Sequence, residues 1–293
     1  MIKKTLIYTL ILFLLYNLVL YFWNPGFISP QGFWQDNQVK AQNYLYTDVC
    51  DDAENIIVGS SMSFRISTDS LPGFCNLSLL GENYIKGLEL MKEKGKYPKR
   101  VFIETNFPAG KSKDGLFYDV LYNPILYPVR TYLPALRDGK QPILVAASAT
   151  EECAVNHSIE EQNRDKYSAI FKKLIEPTPG IGLFQGFEVE ASSQDMKNQL
   201  DDLNTFILDL ESHNTEIIFF EMPLYKTLYY SPRVESIRKA FNEYFSPDKY
   251  IYLPKPEYDG YQTLDGLHLG KDEIERFTRQ FKMQVDSLIQ AGK

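Results

Sequence analysis

Residues 55–66 have the sequence Asn-Ile-Ile-Val-Gly-Ser-Ser-Met-Ser-Phe-Arg-Ile, and this stretch decides the predicted fold. The apolar run that ends at Gly59 is short and β-branched, which predicts a buried strand over 54–59. A predicted helix begins at Ser61 and continues to about Ile66. The strand therefore ends in a turn that carries two adjacent serine hydroxyls.

Four more short apolar runs follow, with helical patterns between and after them. The predicted strands cover 73–78, 99–105, 216–220 and 250–253. The predicted helices cover 81–93, 194–212, 234–245 and 271–291. Short buried strands that alternate with helices predict a parallel sheet covered by helices on both faces. We therefore expect an α/β fold of three layers around a central sheet of about five strands.

Three polar segments follow strand ends in this pattern: the Gly59-Ser60-Ser61 turn, the loop 76–81, and Asn106. In open parallel sheets, ligands bind outside the carboxyl ends of the strands, where the strand order reverses. Because parallel strands end at the same edge, the topology alone brings these segments together. We expect the functional site at that edge.

Composition and cysteine spacing exclude some partners and cofactors. The 293 residues carry a net charge of −7 without a basic stripe, so a nucleic acid is not an expected partner. No Cys-x-x-Cys pair occurs, and no metal or organic cofactor is predicted. Cys50 and Cys75 flank the first strand and form a disulfide if this region lies outside the cytoplasm. The alternative is that Cys50, Cys75 and Cys153 are unpaired thiols.

Residues 5–23 form an uncharged apolar run that predicts a membrane-spanning helix. At ~1.5 Å per residue, the run roughly matches a ~30 Å hydrocarbon layer. Lys3 and Lys4 precede it and the next charge is Asp36, which places the N-terminus in the cytoplasm and the remaining chain in the periplasm or outside the cell. The competing interpretation is a cleaved signal peptide, whose apolar core is usually ~7–15 residues. The longer run favours an uncleaved anchor.

The predicted anchor, 1–23, leads into a weakly patterned juxtamembrane linker over 24–50. The remaining residues, 51–293, form one predicted α/β domain, because this length suits a single core. Residues 107–190 differ, since they are rich in Pro, Gly and Tyr and lack a long apolar run. We expect an insertion there that packs over the active-site edge and shapes the substrate groove. Its predicted helices cover 130–147 and 160–175.

A second stretch, Leu264-Asp265-Gly266-Leu267-His268, supplies what a serine nucleophile requires. A serine hydroxyl needs a base within hydrogen-bond reach and a third group that holds the base. An Asp on a tight turn reaches the ring of a His three residues later, so Asp265 is expected to orient His268. The other ring nitrogen then faces Ser61, with Ser60 as the alternative nucleophile.

Acyl transfer also needs hydrogen-bond donors for the oxyanion, each typically worth ~3 kcal/mol in the transition state. The backbone amides of Ser61 and Gly81 and the side-chain amide of Asn106 are predicted at the same edge of the sheet. These groups form the candidate oxyanion hole.

These segments resemble the conserved blocks of SGNH (GDSL-type) hydrolases. Gly59-Ser60-Ser61 resembles the first block, although Asp usually stands at the position of Ser60. The segment 76–81 resembles the second block, which supplies a glycine. Glu104-Thr105-Asn106 stands where the third block supplies its Asn, and Asp265-Gly266-Leu267-His268 resembles the Asp-x-x-His block. The resemblance covers 54–110 and 195–290.

The resemblance implies a flavodoxin-like SGNH fold and a serine mechanism. The site residues that it implies are the nucleophile Ser61, the base His268, the orienting Asp265, and Gly81 and Asn106 in the oxyanion hole. The Gly-Ser-Ser variant is similar to that of membrane-anchored SGNH-like proteins of cell-envelope polysaccharide acylation. It implies an outward-facing serine esterase or O-acyltransferase acting on acylated glycans or other esters, with a multispanning acyltransferase as a partner.

Several of these residues have simpler structural alternatives. A serine after a strand often caps the next helix, a glycine permits a tight turn, and an asparagine satisfies one. Arg65 is expected on a solvated helix face, and His157 and His213 at the surface. Gly110-Lys111-Ser112 resembles the end of a phosphate-binding loop, but Thr105 stands where that loop requires Gly. The alternative function is an inactive SGNH-like scaffold that binds glycan or a membrane partner.

Overall fold

The computed structural model describes residues 2–22, 33–108, 121–146, 186–257 and 260–291. The strands are β1 (Asn55–Val58), β2 (Phe74–Asn76), β3 (Arg100–Glu104), β4 (Glu216–Phe220) and β5 (Ile251–Tyr252). The α-helices are α1 (Ile2–Phe22), α2 (Phe33–Tyr46), α3 (Tyr84–Lys94), α4 (Leu126–Tyr132), α5 (Ser193–Ser212), α6 (Lys226–Tyr229), α7 (Pro232–Tyr244) and α8 (Lys271–Ala291). Two 3-10 turns cover Ser63–Arg65 and Pro134–Leu136.

All five strands are parallel and form one sheet in the order β2-β1-β3-β4-β5. Ile57 of β1 is paired with Asn76 on one side and with Phe102 on the other. This is the flavodoxin-like strand order, in which the direction of winding reverses between β1 and β3. The predicted α/β fold with a central parallel sheet of five strands is confirmed. The reversal places the expected site at the carboxyl end of β1, where Gly59, Ser60 and Ser61 follow.

Alternate side chains of each strand point to opposite sides of the sheet, so both faces are apolar and both are covered by helices. On one face, the rings of Phe102 and Phe220 pack against Phe281 of α8, with ring centroids 5.4 and 5.2 Å apart. On the other face, Phe219 packs against Phe241 of α7, with centroids 5.9 Å apart. The sheet is therefore the middle of three layers.

Helix α3 approaches β1 so closely that one of its positions is restricted to glycine. A Cβ atom on Gly87 would lie 2.7 Å from Cγ1 of Val58 and 2.9 Å from the carbonyl oxygen of Leu77. The helix begins after the N-cap Asn83 and ends at Gly95, which has the positive φ of a C-cap glycine. Helix α3 therefore starts directly after the loop that leaves β2.

The predicted helices over 81–93, 194–212, 234–245 and 271–291 are found as α3, α5, α7 and α8. The prediction of a helix from Ser61 to about Ile66 is wrong, because this segment makes only the 3-10 turn Ser63–Arg65. Its polar groups bind a buried carboxylate and an asparagine instead of forming a helical ladder. The predicted helix over 130–147 is broken into α4, the turn Pro134–Leu136 and the helical residues 142–146. The predicted helix over 160–175 lies outside the described residues.

Helix α2 lies within the range 24–50 that the sequence predicts as a weakly patterned linker. The helix was missed because several side chains on its buried positions are amides instead of apolar groups, which removes the usual hydrophobic periodicity. These buried amides are Gln35, Asn37, Gln38 and Gln42. The side-chain oxygen of one of them, Gln42, accepts the backbone N–H of Asp138 at 2.8 Å.

The chain divides into two compact units. The first consists of Met1–Val49 and Lys113–Ile159, and the second consists of Cys50–Ser112 and Glu160–Lys293. The second unit contains the sheet and is called the sheet unit below. The range 107–190, predicted as one insertion, is thus shared between the two units.

A disulfide joins Cys50 to Cys75 within the sheet unit, with their Cα atoms 5.7 Å apart. Cys75 lies in β2, and Cys50 precedes β1, so the bond fastens the start of the sheet unit to the edge strand β2. Of the two alternatives left open by the sequence, the paired one is found. The cross-link closes a loop with a sequence separation of 25 residues.

Candidate active site

Ser61 and His268 lie in direct hydrogen-bond contact although 207 residues separate them in the sequence. The Ser61 hydroxyl oxygen is 2.8 Å from Nε2 of His268. Ser61 follows the carboxyl end of β1, and His268 comes from the loop that precedes α8. This distance suits transfer of the hydroxyl proton to the ring without any rearrangement.

Asp265 holds the opposite side of the same imidazole ring. Its Oδ2 atom lies 2.6 Å from Nδ1 of His268, while its Oδ1 atom accepts the backbone N–H groups of Leu267 and His268 at 3.0 and 2.7 Å. Burial acts to raise the pKa of Asp265, but these hydrogen bonds outweigh burial and hold the pKa below its usual value. Asp265 therefore remains a carboxylate, which fixes the ring orientation and stabilises an imidazolium.

The loop that carries Asp265 and His268 is rigidly folded. Its two ends form an antiparallel bridge between Thr263 and Leu269, and the N–H of Leu264 donates to the His268 carbonyl at 2.7 Å. The turn between them requires the positive φ of Gly266, 92°. The His268 side chain therefore projects from a closed turn, which limits the positions that its ring can adopt.

Arg65 connects this loop to the turn that carries the serine. Its Nη1 atom donates to the carbonyl oxygen of Leu269 at 3.1 Å, one residue after His268. The sequence favoured a solvated helix face for Arg65, and its side chain is indeed exposed, but it also makes this specific contact. The bond joins the segments that carry Ser61 and His268.

A buried carboxylate, Glu104 at the end of β3, organises the serine turn. It accepts the backbone N–H of Ser60 at 2.9 Å and that of Ser63 at 3.2 Å. It also accepts the hydroxyls of Ser60 and Ser63, at 2.9 and 2.5 Å. The residue is 2% exposed. Four donors satisfy a carboxylate that would otherwise be costly to bury.

Gly59 is required by the same arrangement. A Cβ atom at this position would lie 2.6 Å from Oε2 of Glu104 and 2.3 Å from Oγ of Ser63. Any side chain would therefore push the carboxylate out of the turn. The glycine in the Gly-Ser-Ser segment is explained by close packing, since its φ is not in the left-handed region.

Asn76 joins the loop after β2 to the serine turn. Its amide donates to the carbonyl oxygens of Ser63 at 2.8 Å and Ile66 at 3.0 Å, and its oxygen accepts the N–H of Ser78 at 2.9 Å. The Ser63 hydroxyl also contacts that of Ser78 at 2.8 Å. The segment 76–81 therefore supports the serine turn through side-chain hydrogen bonds.

Ser60, the alternative nucleophile, is in a different environment from Ser61. Its hydroxyl donates to Glu104 and accepts the N–H of Met62 at 3.2 Å. These contacts hold the turn in shape and point the hydroxyl toward a carboxylate instead of the His268 ring. The geometry therefore favours Ser61 over Ser60 as the nucleophile.

The two residues that the resemblance implies for the oxyanion hole differ from each other in their surroundings. Gly81 is exposed and has a φ of 71°, and it lies two residues after Leu79, whose N–H donates to the Gly59 carbonyl at 3.3 Å. Asn106 is 3% exposed, and its side chain forms a reciprocal pair with the backbone of Met222 at 2.8 and 2.6 Å. That pair uses the amide oxygen and one N–H, which leaves a single N–H for an oxyanion.

The structure describes one other histidine, His213, and this residue does not contribute to the site. His213 is exposed at the end of α5 and stacks on Tyr97, with ring centroids 3.6 Å apart. It lies at the amino-terminal edge of the sheet, next to the start of β4, as expected for a surface residue. His157 lies outside the described residues, and so does Gly110-Lys111-Ser112.

Sequence reasoning missed the roles of Glu104, Ser63 and Asn76. The signal that identifies Glu104 is an acidic residue directly after the apolar run Val101-Phe102-Ile103. A carboxylate that continues a buried strand must find donors at the strand end. Within the part of the chain that the structure describes, no group of three or more His, Cys, Asp or Glu side chains is placed to hold a metal ion.

Comparisons with known proteins do not assign a function to this chain. No family model matches the sequence, and no curated protein matches it. A solved structure from Streptococcus pneumonia, provisionally described as a platelet activating factor, is similar with a TM-score of 0.43 and 12% identity, covering 85% of this chain and 91% of that chain. A likeness of this size identifies no activity, and the proposals below rest on the side chains of this chain.

Proposed function

We propose that this protein is a membrane-anchored serine esterase or O-acyltransferase that works through an acyl-serine at Ser61. The observation that carries the proposal is the continuous chain of hydrogen bonds from Ser61 through His268 to Asp265, at 2.8 and 2.6 Å. A scaffold without activity has no need for this alignment. The contact therefore favours an enzyme over the alternative of an inactive glycan-binding scaffold.

The first half-reaction forms the acyl-enzyme. Nε2 of His268 takes the hydroxyl proton as the Ser61 oxygen attacks the ester carbonyl, and Asp265 stabilises the imidazolium that results. The backbone N–H groups of Ser61 and Gly81 and the remaining side-chain N–H of Asn106 are the proposed donors to the oxyanion. The tetrahedral intermediate collapses, the imidazolium returns its proton to the leaving alkoxide, and the acyl group remains on Ser61.

The second half-reaction decides between the two activities. Water, or a sugar hydroxyl, loses its proton to His268 and attacks the acyl-serine carbonyl. Collapse releases the Ser61 oxygen, which recovers the proton from the ring. Water gives a free carboxylic acid, whereas a sugar hydroxyl gives a new ester. An acylated cell-envelope glycan is the proposed substrate, and a multispanning acyltransferase is the proposed partner that supplies acyl groups; both rest on the resemblance of the sequence blocks.

Three features support an outward-facing enzyme held by α1. Helix α1 is long and apolar enough to cross a membrane. The Cys50–Cys75 disulfide suits a compartment outside the reducing cytoplasm. The hydroxyl of Tyr16 donates to the Lys140 carbonyl at 2.7 Å, and the Asn17 side chain accepts the Ala135 N–H at 3.0 Å. Bonds between the helix and the folded chain favour a retained anchor over a cleaved signal peptide.

The test is to label the full-length protein in detergent with a sulfonyl fluoride and to follow p-nitrophenyl acetate turnover. We expect an adduct on Ser61 by peptide mass and loss of turnover in both Ser61→Ala and His268→Ala. Ser70 is an exposed serine close to Ser61 in the sequence, so Ser70→Ala is the matched control and should keep full turnover. A folded protein that shows no adduct and no turnover would contradict the proposal, and an adduct on Ser60 would contradict the assignment of the nucleophile.

A further inference from the structure

The segment 121–146 exposes several large apolar side chains beside helix α1. In the first compact unit, Ile125, Tyr132 and Ile143 are 74%, 81% and 78% exposed, and Leu126 and Leu136 are each 39% exposed. Contiguous exposed apolar patches on proteins mark contact sites for a membrane or another protein. We call these five residues the apolar rim.

The segment that carries the apolar rim is attached to a defined level of α1. The Ala135 N–H donates to the Asn17 side chain, and the Lys140 carbonyl accepts the Tyr16 hydroxyl. Asn17 is 7% exposed, and Leu20 is 4% exposed, whereas most of the apolar side chains of α1 are exposed. The contact is therefore specific to the last turns of the helix, and the rest of its surface is left for lipid.

The level of this contact lies inside the apolar part of the helix. At ~1.5 Å per residue, Asn17 lies about 8 Å before the end of α1 at Phe22. If α1 crosses the bilayer, residues 134–140 reach the depth at which interfacial segments bury their apolar faces, roughly 5–10 Å into the boundary between headgroups and acyl chains. An asparagine at this depth is tolerated because its amide is bonded on both sides, to the carbonyl of Phe13 and the N–H of Ala135.

The side chains of the apolar rim are suited to that layer. Ile125, the N-cap of α4, and Tyr132, its last residue, are seven residues apart, which places them on the same helical face. Tyrosine prefers the membrane interface because its ring is apolar and its hydroxyl remains hydrated. Arg130 and Arg137, the charged residues nearest to Tyr132, are both buried and bonded to backbone carbonyls. No exposed charge from these two residues therefore opposes contact with lipid.

We infer that the apolar rim is a lipid-facing surface that lies in the membrane interface on the side where α1 ends. The inference rests on the proposed membrane anchor and goes beyond it, since it adds a second, non-spanning contact with the bilayer. The bilayer is favoured over a protein partner because the segment that carries the rim is hydrogen-bonded to α1, a helix that is apolar enough to span a membrane and whose own apolar side chains are mostly exposed. A spanning helix plus an interfacial segment would also fix the first unit against the membrane surface.

The experiment measures the depth of single fluorescent labels in the full-length protein, reconstituted in phosphatidylcholine vesicles. The labels are placed by Leu10→Cys, Tyr132→Cys and Ile143→Cys, each in a Cys153→Ser background with the disulfide intact. Lipids brominated near the headgroup or deep in the acyl chain act as quenchers, and vesicles of the same lipid without bromine are the control. We expect shallow bromines to quench the labels at 132 and 143 by at least twofold, and deep bromines to quench the label at 10.

The outcomes separate the two proposals. Quenching at position 10 but not at 132 or 143 would overturn the lipid-facing surface, leave the anchor intact and assign the rim to a protein partner. Absence of quenching at all three positions would overturn both the surface and the anchor. Shallow quenching at 132 and 143 with deep quenching at 10 supports both.

Discussion

The Glu104 carboxylate accepts both the backbone N–H and the hydroxyl of Ser60, at 2.9 Å each, from a position 44 residues later in the chain. Because Ser60 immediately precedes Ser61, this pair sets the backbone from which the proposed nucleophile projects. The carboxylate comes from the neighbouring strand β3 and reaches the serine turn through space.

Glu104→Gln is expected to lower activity more than a surface substitution would. An amide keeps the shape of the side chain but places an NH2 group opposite donors that now bind carboxylate oxygens. We expect the free energy of unfolding to fall by on the order of 1–3 kcal/mol, and kcat by on the order of 100-fold if the serine is displaced by about 1 Å. Urea unfolding and p-nitrophenyl acetate kinetics measure the two effects.

The control for Glu104→Gln is Glu216→Gln at the start of β4. Glu216 is exposed and pairs with Arg100 at the surface, where an ion pair contributes about 0–1 kcal/mol. We expect this control to retain its kcat. Equal kcat values for the wild type and Glu104→Gln would show that the carboxylate has no part in placing Ser61.

Asp265→Asn is expected to lower kcat by on the order of 10,000-fold with little change in KM. The new amide can keep the loop contacts through its oxygen, but its NH2 group would favour the wrong tautomer of His268. Steady-state kinetics against the exposed-site variant Asp248→Asn measure the effect. A loss confined to KM would instead indicate that Asp265 contributes to substrate binding.

The lowered pKa of Asp265 predicts a dependence of stability on acid. Its carboxylate is favoured in the folded state, so the stabilisation is fully present above the usual pKa of Asp, about 4. This stabilisation is lost as the pH falls through the lowered pKa that Asp265 has in the folded protein. We therefore expect the difference in Tm between the wild type and Asp265→Asn to be constant between pH 5 and 7 and to shrink below about pH 4. A difference that grows on acidification would contradict this assignment.

The disulfide is expected to stabilise the sheet unit by about 3 kcal/mol, because it closes a loop with a separation of 25 residues. Cys75→Ser should lower the free energy of unfolding by that amount. Addition of dithiothreitol should lower the stability of the wild type and leave that of Cys75→Ser unchanged. Equal stability of the oxidised and reduced wild type would show that the cross-link has no such role.

The sequence was sufficient for features that depend on local patterns. Short apolar runs predicted all five strands, a long uncharged apolar run predicted α1, and helical patterns predicted α3, α5, α7 and α8. Helix α2 was missed because its buried face carries amides, whose burial depends on partners such as Asp138 elsewhere in the chain. The helix predicted after Ser61 was wrong because Glu104 and Asn76 bind the polar groups of that segment, and neither interaction is visible in a local pattern.

The chemistry of the candidate site divides in the same way. The sequence alone determined which residue types were available: two serines at a strand end, an Asp-x-x-His turn, and a glycine after β2. Only the tertiary structure decided that Ser61, and not Ser60, contacts His268, and that the Asn106 amide pairs with Met222. The physical reason is that strand and helix patterns depend on neighbours a few residues apart. The choice between two adjacent hydroxyls depends on which distant donor or acceptor packing brings within about 3 Å.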